Sequence, residues 1–531
     1  MTALFLILIV IIILTCIGLD QISAKIGIPT LLAFILLGII FGNVGAIPMY
    51  LDNQVFAKDL CSVALIVIMF YGGFGTRWEA VKPVVRESVL LASAGVIATA
   101  ALTGLFCHFA LGWGWAQSFL LGAVVSSTDA ASVFSILRAK KLGLKNNTAP
   151  MLEMESGSND PCAYMLTAIM ISVLNASASG WSLAWMVFAQ IVFGAGLGFL
   201  IAKGASWALQ HMRFSTDGFD TLFVFAVAVA SYALPELVGG NGYLSAYIVG
   251  MALGNEEFKG KKAMVGFFDG LTGLMQVLIF FVLGLLARPA QLHHAVLPAL
   301  AIFAFMLLVS RPVAVMSILA PFRKYPIRQQ LLVSFVGLRG AASIVFAIMA
   351  VTGSPLLDVD LFNIVFCIVL ISISLQGSLI PWTARKLDMI DLKNDVMKTF
   401  NDYSDTTEMQ FSQIDISEGS TWDGKQVMEL GLPKNVLIAL VVRGSERIIV
   451  HGDTRLQAGD KAIIVTKTFA DTETYLVEKK VKPDGKRAGH AISEFSGDGL
   501  VLLVKRGEQQ LIPSGDTVLE AGDILVLLRK R

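Results

Sequence analysis

Up to about residue 388 the chain is a ladder of apolar stretches, each close to the roughly 20 residues that an α-helix needs to cross a bilayer. In hydrocarbon every backbone polar group must find its partner within the protein, so such a ladder can fold only as a bundle of packed helices. About thirteen stretches are present, at 2–20, 28–44, 59–75, 87–110, 115–137, 150–176, 182–207, 219–235, 239–255, 264–287, 294–321, 328–351 and 361–384. Hydrophobic residues make up 55% of the chain and charged residues only 15%, against about 25% in soluble domains, and mean hydropathy is +0.71. The first stretch follows no basic residue and no small-residue cleavage signal, so it is expected to remain as a span. The five cysteines are scattered through apolar segments and read as small fillers. A net charge of +1 carries no nucleic-acid footprint.

Basic residues test the count. Alternate loops hold Lys25; Arg77, Lys82 and Arg86; Arg138, Lys140, Lys141 and Lys145; Arg213; Lys259, Lys261 and Lys262; and Arg323, Lys324 and Arg328, about fifteen in all. The opposite loops show only Lys58 and Arg288. Cytoplasmic loops carry the excess of Lys and Arg, so the N-terminus is expected outside and the C-terminal tail in the cytoplasm. Gly38-Ile39-Ile40-Phe41-Gly42-Asn43 recurs as Gly250-Met251-Ala252-Leu253-Gly254-Asn255, about 212 residues on, and Ala130-Ala131-Ser132 recurs as Ala341-Ala342-Ser343 at about 211. That offset spans seven helices. An odd shift predicts a second copy upside down relative to the first, as in secondary transporters with a site at the midplane. Glycines four apart also let helices pack closely.

Residues 389–408 are polar and read as a linker between the membrane region, 1–388, and a tail. From 409 short Val/Ile/Leu runs alternate with Gly-Asp turns, a β pattern. Arg443-Gly444, Gly452-Asp453-Thr454 and Ala458-Gly459-Asp460 recur 63 residues later as Arg506-Gly507, Gly515-Asp516-Thr517 and Ala521-Gly522-Asp523. Asp423-Gly424-Lys425 and Asp484-Gly485-Lys486 match with a two-residue slip. Two small α+β modules are therefore expected, at 409–480 and 481–531.

A charge at the bilayer centre costs about 2.5 kcal/mol or more on insertion scales, which makes the polar residues inside the ladder the candidates for function. Span 5 carries Ser126-Ser127-Thr128-Asp129, and span 6 carries Glu153-Met154-Glu155-Ser156-Gly157-Ser158-Asn159-Asp160-Pro161. Span 11 carries Arg311-Pro312 and span 12 carries Gly337-Leu338-Arg339-Gly340. Asp160 is central. Asn-Asp before Pro is also a helix N-terminal signal, but a helix starting at Pro161 would hold only about sixteen apolar residues, short for a span. A submerged carboxylate is neutral with a proton and neutral again with a monovalent cation. One site can hold either but not both, and under alternating access that competition produces exchange. Ser156 lies four residues before Asp160, on the same helix face, where its hydroxyl suits a hard cation or bonds back to its own helix. Thr128 and Asp129 mark an interruption of span 5, with the acid balancing exposed helix N-termini and the hydroxyl offering oxygen, or else a polar patch against a neighbour. Arg339 needs hydrogen-bond partners when buried, and Asn159 or Glu155 could supply them, giving Arg339 an orienting role. Arg311 and Glu153 read as nearer an interface. No nucleophile–base pair, cofactor motif or metal-ligand cluster is visible, so neither an enzyme nor a cofactor is expected.

Thr128-Asp129, then Glu155-Ser156 ahead of Asn159-Asp160, then Gly337-Leu338-Arg339-Gly340 resemble the NhaP-type monovalent cation:proton antiporters, the branch with sodium/proton and potassium/proton exchangers, over roughly 1–388. The resemblance implies thirteen transmembrane helices, two inverted six-helix repeats and crossed broken helices at spans 5 and 12. It implies that Asp160 is the shared cation and proton carboxylate, that Thr128 and Ser156 are neighbouring ligands, that Asp129 compensates helix dipoles, and that Asn159 pairs with Arg339. Because Asn rather than a second Asp precedes Asp160, it implies electroneutral exchange. It also implies a homodimer in the cell inner membrane. Many relatives carry a Glu before a Gly-Gly pair in span 3, where this chain has Tyr71. The tail resembles the C-terminal module of potassium-conductance regulators. That implies a small-molecule or nucleotide regulator and, by association, potassium rather than sodium.

Two other readings compete with exchange of potassium for protons. A potassium channel or uptake subunit with a regulatory tail wants a TVGYG-like filter, which the chain lacks. A proton-coupled organic anion transporter wants a basic pocket, for which only Arg339 and Arg311 could serve.

Overall fold

The computed structural model describes residues 10–19, 30–43, 54–391 and 409–530, apart from short stretches within the last two ranges. The chain divides into two compact units, Met1–Tyr403 and Ser404–Arg531. Most of the expected linker, the Lys25, Arg213 and Lys259 loops and the Asp484-Gly485-Lys486 turn lie outside the described residues.

The first unit is helical. Its elements are α1 (Val10–Leu19), α2 (Thr30–Asn43), α3 (Gln54–Gly75), α4 (Trp78–Leu111), α5 (Trp115–Val124), α6 (Ala130–Ala139), α7 (Thr148–Leu174) and α8 (Gly180–His211). They continue with α9 (Phe219–Leu237), α10 (Gly242–Gly254), α11 (Lys261–Leu286), α12 (Leu292–Phe322), α13 (Ile327–Phe335), α14 (Ala341–Gly353) and α15 (Leu361–Lys386). Among the described residues seven of these are long and apolar enough to cross a membrane, and five shorter ones are apolar. This is the polytopic membrane bundle that the apolar ladder predicts. Polar side chains fix several starts: Ser179 caps α8 by accepting from Ser182 N, Asn241 caps α10 and Asp360 caps α15. Gly112, at φ 72°, ends α4 in the left-handed conformation.

The order of elements recurs. The series α2 to α7 and the series α10 to α15 match in number, in approximate length and in the places where helices break. The glycine repeat does the same work in each. A methyl on Gly38 would lie 2.2 Å from the Phe281 carbonyl oxygen of α11, and one on Gly250 would lie 2.0 Å from the Phe70 carbonyl oxygen of α3. Both contacts need a bare Cα, so α2 packs on α11 and α10 on α3 with backbones touching. A short antiparallel pair, β1 (Gly143–Leu144) with β2 (Ile390–Asp391), extends this unit slightly past the expected 388.

The second unit holds two antiparallel four-stranded sheets. One runs in the order β3 (Met409–Asp415), β6 (Lys461–Lys467), β4 (Val436–Arg443), β5 (Glu446–Ile449). The other runs β7 (Thr474–Lys480), β10 (Ile524–Lys530), β8 (Leu500–Arg506), β9 (Gln509–Leu511). The expected module boundary at 480/481 needs correction. β7 pairs along its whole length with β10, so 474–480 open the second module, as 409–415 open the first. The repeat carries one tie with it: Arg443 forks onto Asp460 at 2.7 Å through both Nε and Nη2, and Arg506 does the same to Asp523 at 3.0 and 2.8 Å. Each guanidinium holds its partner's carboxyl below the ordinary aspartate range.

Candidate ion-binding site

Two helix breaks build the site, and both fall where polar residues or glycines enter an apolar run. α5 stops at Val124 and α6 starts at Ala130; α13 stops at Phe335 and α14 starts at Ala341. The segments between them meet, with the Asp129 amide donating to the Leu338 carbonyl at 2.8 Å. A break frees carbonyls and amides that must be satisfied where water is scarce. Arg339 satisfies two carbonyls: its Nη1 donates to Ser126 O at 2.8 Å and to Ser127 O at 2.6 Å. Its positive charge thus lies at the negative end of α5. Its amide donates to Ser372 Oγ at 3.0 Å. Ser156 Oγ donates to the third freed carbonyl, Thr128 O, at 2.6 Å, and Asn159 Nδ2 donates to Thr128 Oγ1.

Asp129 occupies the opposite pole. It accepts from the Ser132 amide at 3.1 Å and from the Ser132 hydroxyl, both in the first turn of α6. A methyl on Gly340, which precedes α14, would fall 2.1 Å from Asp129 Oδ2. One carboxylate therefore lies at the positive ends of two helices.

α7 is unbroken and runs through Pro161, so Asp160 is mid-helix and does not cap a helix start. Asp160 is 5% exposed and accepts from the Ser127 hydroxyl. Proline has no N–H, so the Gly157 carbonyl loses its usual donor four residues on. Asp160, Gly157, Ser127, Thr128 and Ser156 line a cavity of about 540 Å³. Four carboxylates face it, those of Asp129, Glu153, Asp160 and Asp269, and no Lys, Arg or His is in its described lining. Hydroxyl and carbonyl oxygens beside a desolvated carboxylate are the donor set of a hard monovalent cation. The same oxygen atoms can instead surround a protonated carboxyl.

Two expected pairings are corrected. Arg339 bonds neither Asn159 nor Glu155 among the described residues. Glu155 instead forms an ion pair with Arg311, the two side chains 1% and 3% exposed, and Asn159 turns to Thr128. The physical reason is that the broken backbone offers Arg339 better placed acceptors than side chains do. Arg311 and Glu153, expected near an interface, are 2% and 6% exposed. Tyr71 also lines the cavity and donates to Asp269 Oδ1 at 3.3 Å. Ser127, Ser132 and Asp269 were not singled out by the sequence reading. Ser127 sits inside the polar run of span 5, and Asp269 is an isolated acid in span 10, so a signal existed for both.

Paired helix breaks gathered around a buried carboxylate are the architecture of a secondary membrane transporter that moves small ions. The sodium/hydrogen exchanger transmembrane family matches residues 8–386, and the TrkA-C domain matches residues 411–468 and 476–530. The chain belongs to the sodium/hydrogen exchanger family. It is 34% identical over 448 residues to the K(+)/H(+) antiporter NhaP2 of Shewanella baltica (strain OS223), covering 83% of this chain and 77% of that one. It is 33% identical over 452 residues to the K(+)/H(+) antiporter NhaP of Alkalimonas amylolytica, covering 84% and 78%. The solved sodium proton antiporter MjNhaP1 from Methanocaldococcus jannaschii at pH 8 superposes with a TM-score of 0.61 at 22% identity, over 73% of this chain and 100% of that one. This last likeness speaks to fold alone.

Proposed function

We propose that the chain exchanges cytoplasmic potassium for external protons across the inner membrane, with sodium as an alternative cation. The observation that carries this reading is Asp160 at the wall of a cavity lined by carboxylates, with no Lys, Arg or His among its described lining residues. The names of the relatives and the TrkA-C match of the tail favour potassium. In the proposed cycle Asp160 releases its proton to the cytoplasm and takes a cation, with Thr128, Ser156 and Ser127 supplying oxygen. Arg339 and Asp129 serve the broken helix ends, and Asp160 alone exchanges, which makes the exchange electroneutral, one for one. Asn159 and the Glu155–Arg311 pair hold α7 in register with the breaks. Thirteen spans in two inverted repeats, an external N-terminus, a homodimer and a tail that regulates transport on binding a small molecule complete the proposal.

Everted vesicles with a preformed inward-acid gradient test it. Addition of potassium is expected to release lumenal protons, and Asp160→Asn to abolish the response while the protein still inserts. No response to potassium, sodium, lithium or rubidium in the native protein would refute exchange; normal exchange by Asp160→Asn would refute the site.

A further inference from the structure

The cavity contains a feature that exchange at Asp160 does not use. α11 is apolar almost throughout, yet Asp269, Thr272 and Gln276 interrupt it. Their spacing of three and four places them on one helix face, and all three line the cavity that contains Asp160. Asp269 is exposed, whereas Thr272 and Gln276 are half-buried. Exposure thus falls along the stripe from Asp269 to Thr272 and Gln276. Tyr71, on α3 across the cavity, donates to Asp269 Oδ1 at 3.3 Å and leaves its other oxygen free of that bond. Deeper along the stripe, the Thr272 hydroxyl oxygen is buried without a hydrogen-bond partner among the described residues. An idle hydroxyl on a residue that lines the same cavity as these carboxylates suits a ligand oxygen for a cation in transit.

We propose that Asp269 is a capture residue for the transported cation, held in place by Tyr71, and that Thr272 and Gln276 form the polar track by which the cation passes inward. This rests on the exchange reading above, because it concerns how the same cation reaches Asp160. A fixed negative charge in a cleft with low-dielectric walls raises the local concentration of counter-ions and speeds their capture. Asp269 lines the same cavity but bonds to none of Asp160, Ser127, Thr128 and Ser156 among the described residues, so its charge is expected to affect apparent affinity and not the exchange step at Asp160.

The full-length protein in everted vesicles gives the test. Cation-dependent proton release is measured against potassium concentration, with ionic strength set by a large organic cation that the site does not admit. Asp269→Asn is expected to raise the half-saturating potassium concentration about three- to tenfold at low ionic strength with little change in maximal rate. The difference is expected to shrink at high ionic strength, where the Debye length falls to about 3 Å near 1 M salt. Asp269→Glu is expected to restore the native value, and Thr272→Val to raise half-saturation without the salt dependence. Tyr71→Phe keeps the charge and tests positioning, with a smaller rise expected. An unchanged half-saturating concentration in Asp269→Asn would overturn the proposal, as would a loss of maximal rate at unchanged half-saturation that Asp269→Glu does not rescue. A native protein with no exchange at all would instead sink the reading on which this one rests.

Discussion

Neutralising one half of the Arg311–Glu155 pair is expected to destabilise the membrane unit by about 3–5 kcal/mol. The magnitude follows from burial, since the two side chains are 3% and 1% exposed. Two unit charges about 3 Å apart attract by roughly 5 kcal/mol at an effective dielectric of about 20. That attraction offsets the several kcal/mol each ion loses on leaving water, so the pair nets little while its halves are costly alone. Glu155→Gln leaves the guanidinium charged and unpaired, with Nε and Nη1 already lacking partners among the described residues. Arg311→Met strands the carboxylate in the same way. The double variant Glu155→Gln/Arg311→Met removes both charges and is expected to fall within about 2 kcal/mol of the native protein. Equilibrium unfolding of the three variants in mixed micelles, read as a double-mutant cycle, measures the coupling. Single variants within about 1 kcal/mol of native, or a double variant that loses the sum of the singles, would refute the view of this pair as a mutually dependent buried tie.

Gly340→Ala places a methyl 2.1 Å from Asp129 Oδ2, which forces the carboxylate away from Ser132; a loss of about 1–3 kcal/mol and slower exchange are expected. Gly270→Ala, with nothing within 4 Å, is the clash-free control in the same unfolding and vesicle assays, expected to be at least as stable as the native protein. In the tail, Asp460→Asn is expected to weaken the first module by about 2 kcal/mol, because the Arg443 fork loses its charged acceptor. Asp460 titrates below its unfolded value of about 3.9, so the native stabilisation is complete above that pH and fades as pH falls through the lower folded value. Hydrogen exchange of β6 amides in the intact chain, at neutral and acidic pH, reads both effects.

The helices were legible because bilayer length and apolar runs leave few alternatives, and the break in span 5 was legible because Thr128-Asp129 is too polar for an uninterrupted span. What α7 does at Asp160 was less so. Asn-Asp-Pro is a strong local signal for a helix start, and the tertiary structure overrides it by carrying the helix straight through Pro161. The partners of Arg339 were illegible for a different reason. They are main-chain carbonyls, identical at every position until a break exposes them, so the eye turns to the side chains of Asn159 and Glu155. The tail shows the same limit: its repeat was plain in the turns, but the start of the second module at β7 depends on a strand pairing that turn motifs do not encode.

Pro161 gives α7 a particular mechanical character. Elsewhere in its 27 residues a bend must stretch or break a rung of the helical ladder, but beside Asp160 one rung is missing from the outset. Flexing there forfeits no bond, so a bend beside Asp160 costs α7 less than one elsewhere along its length. The carboxylate proposed to exchange ions thus sits beside the point of α7 that yields most readily.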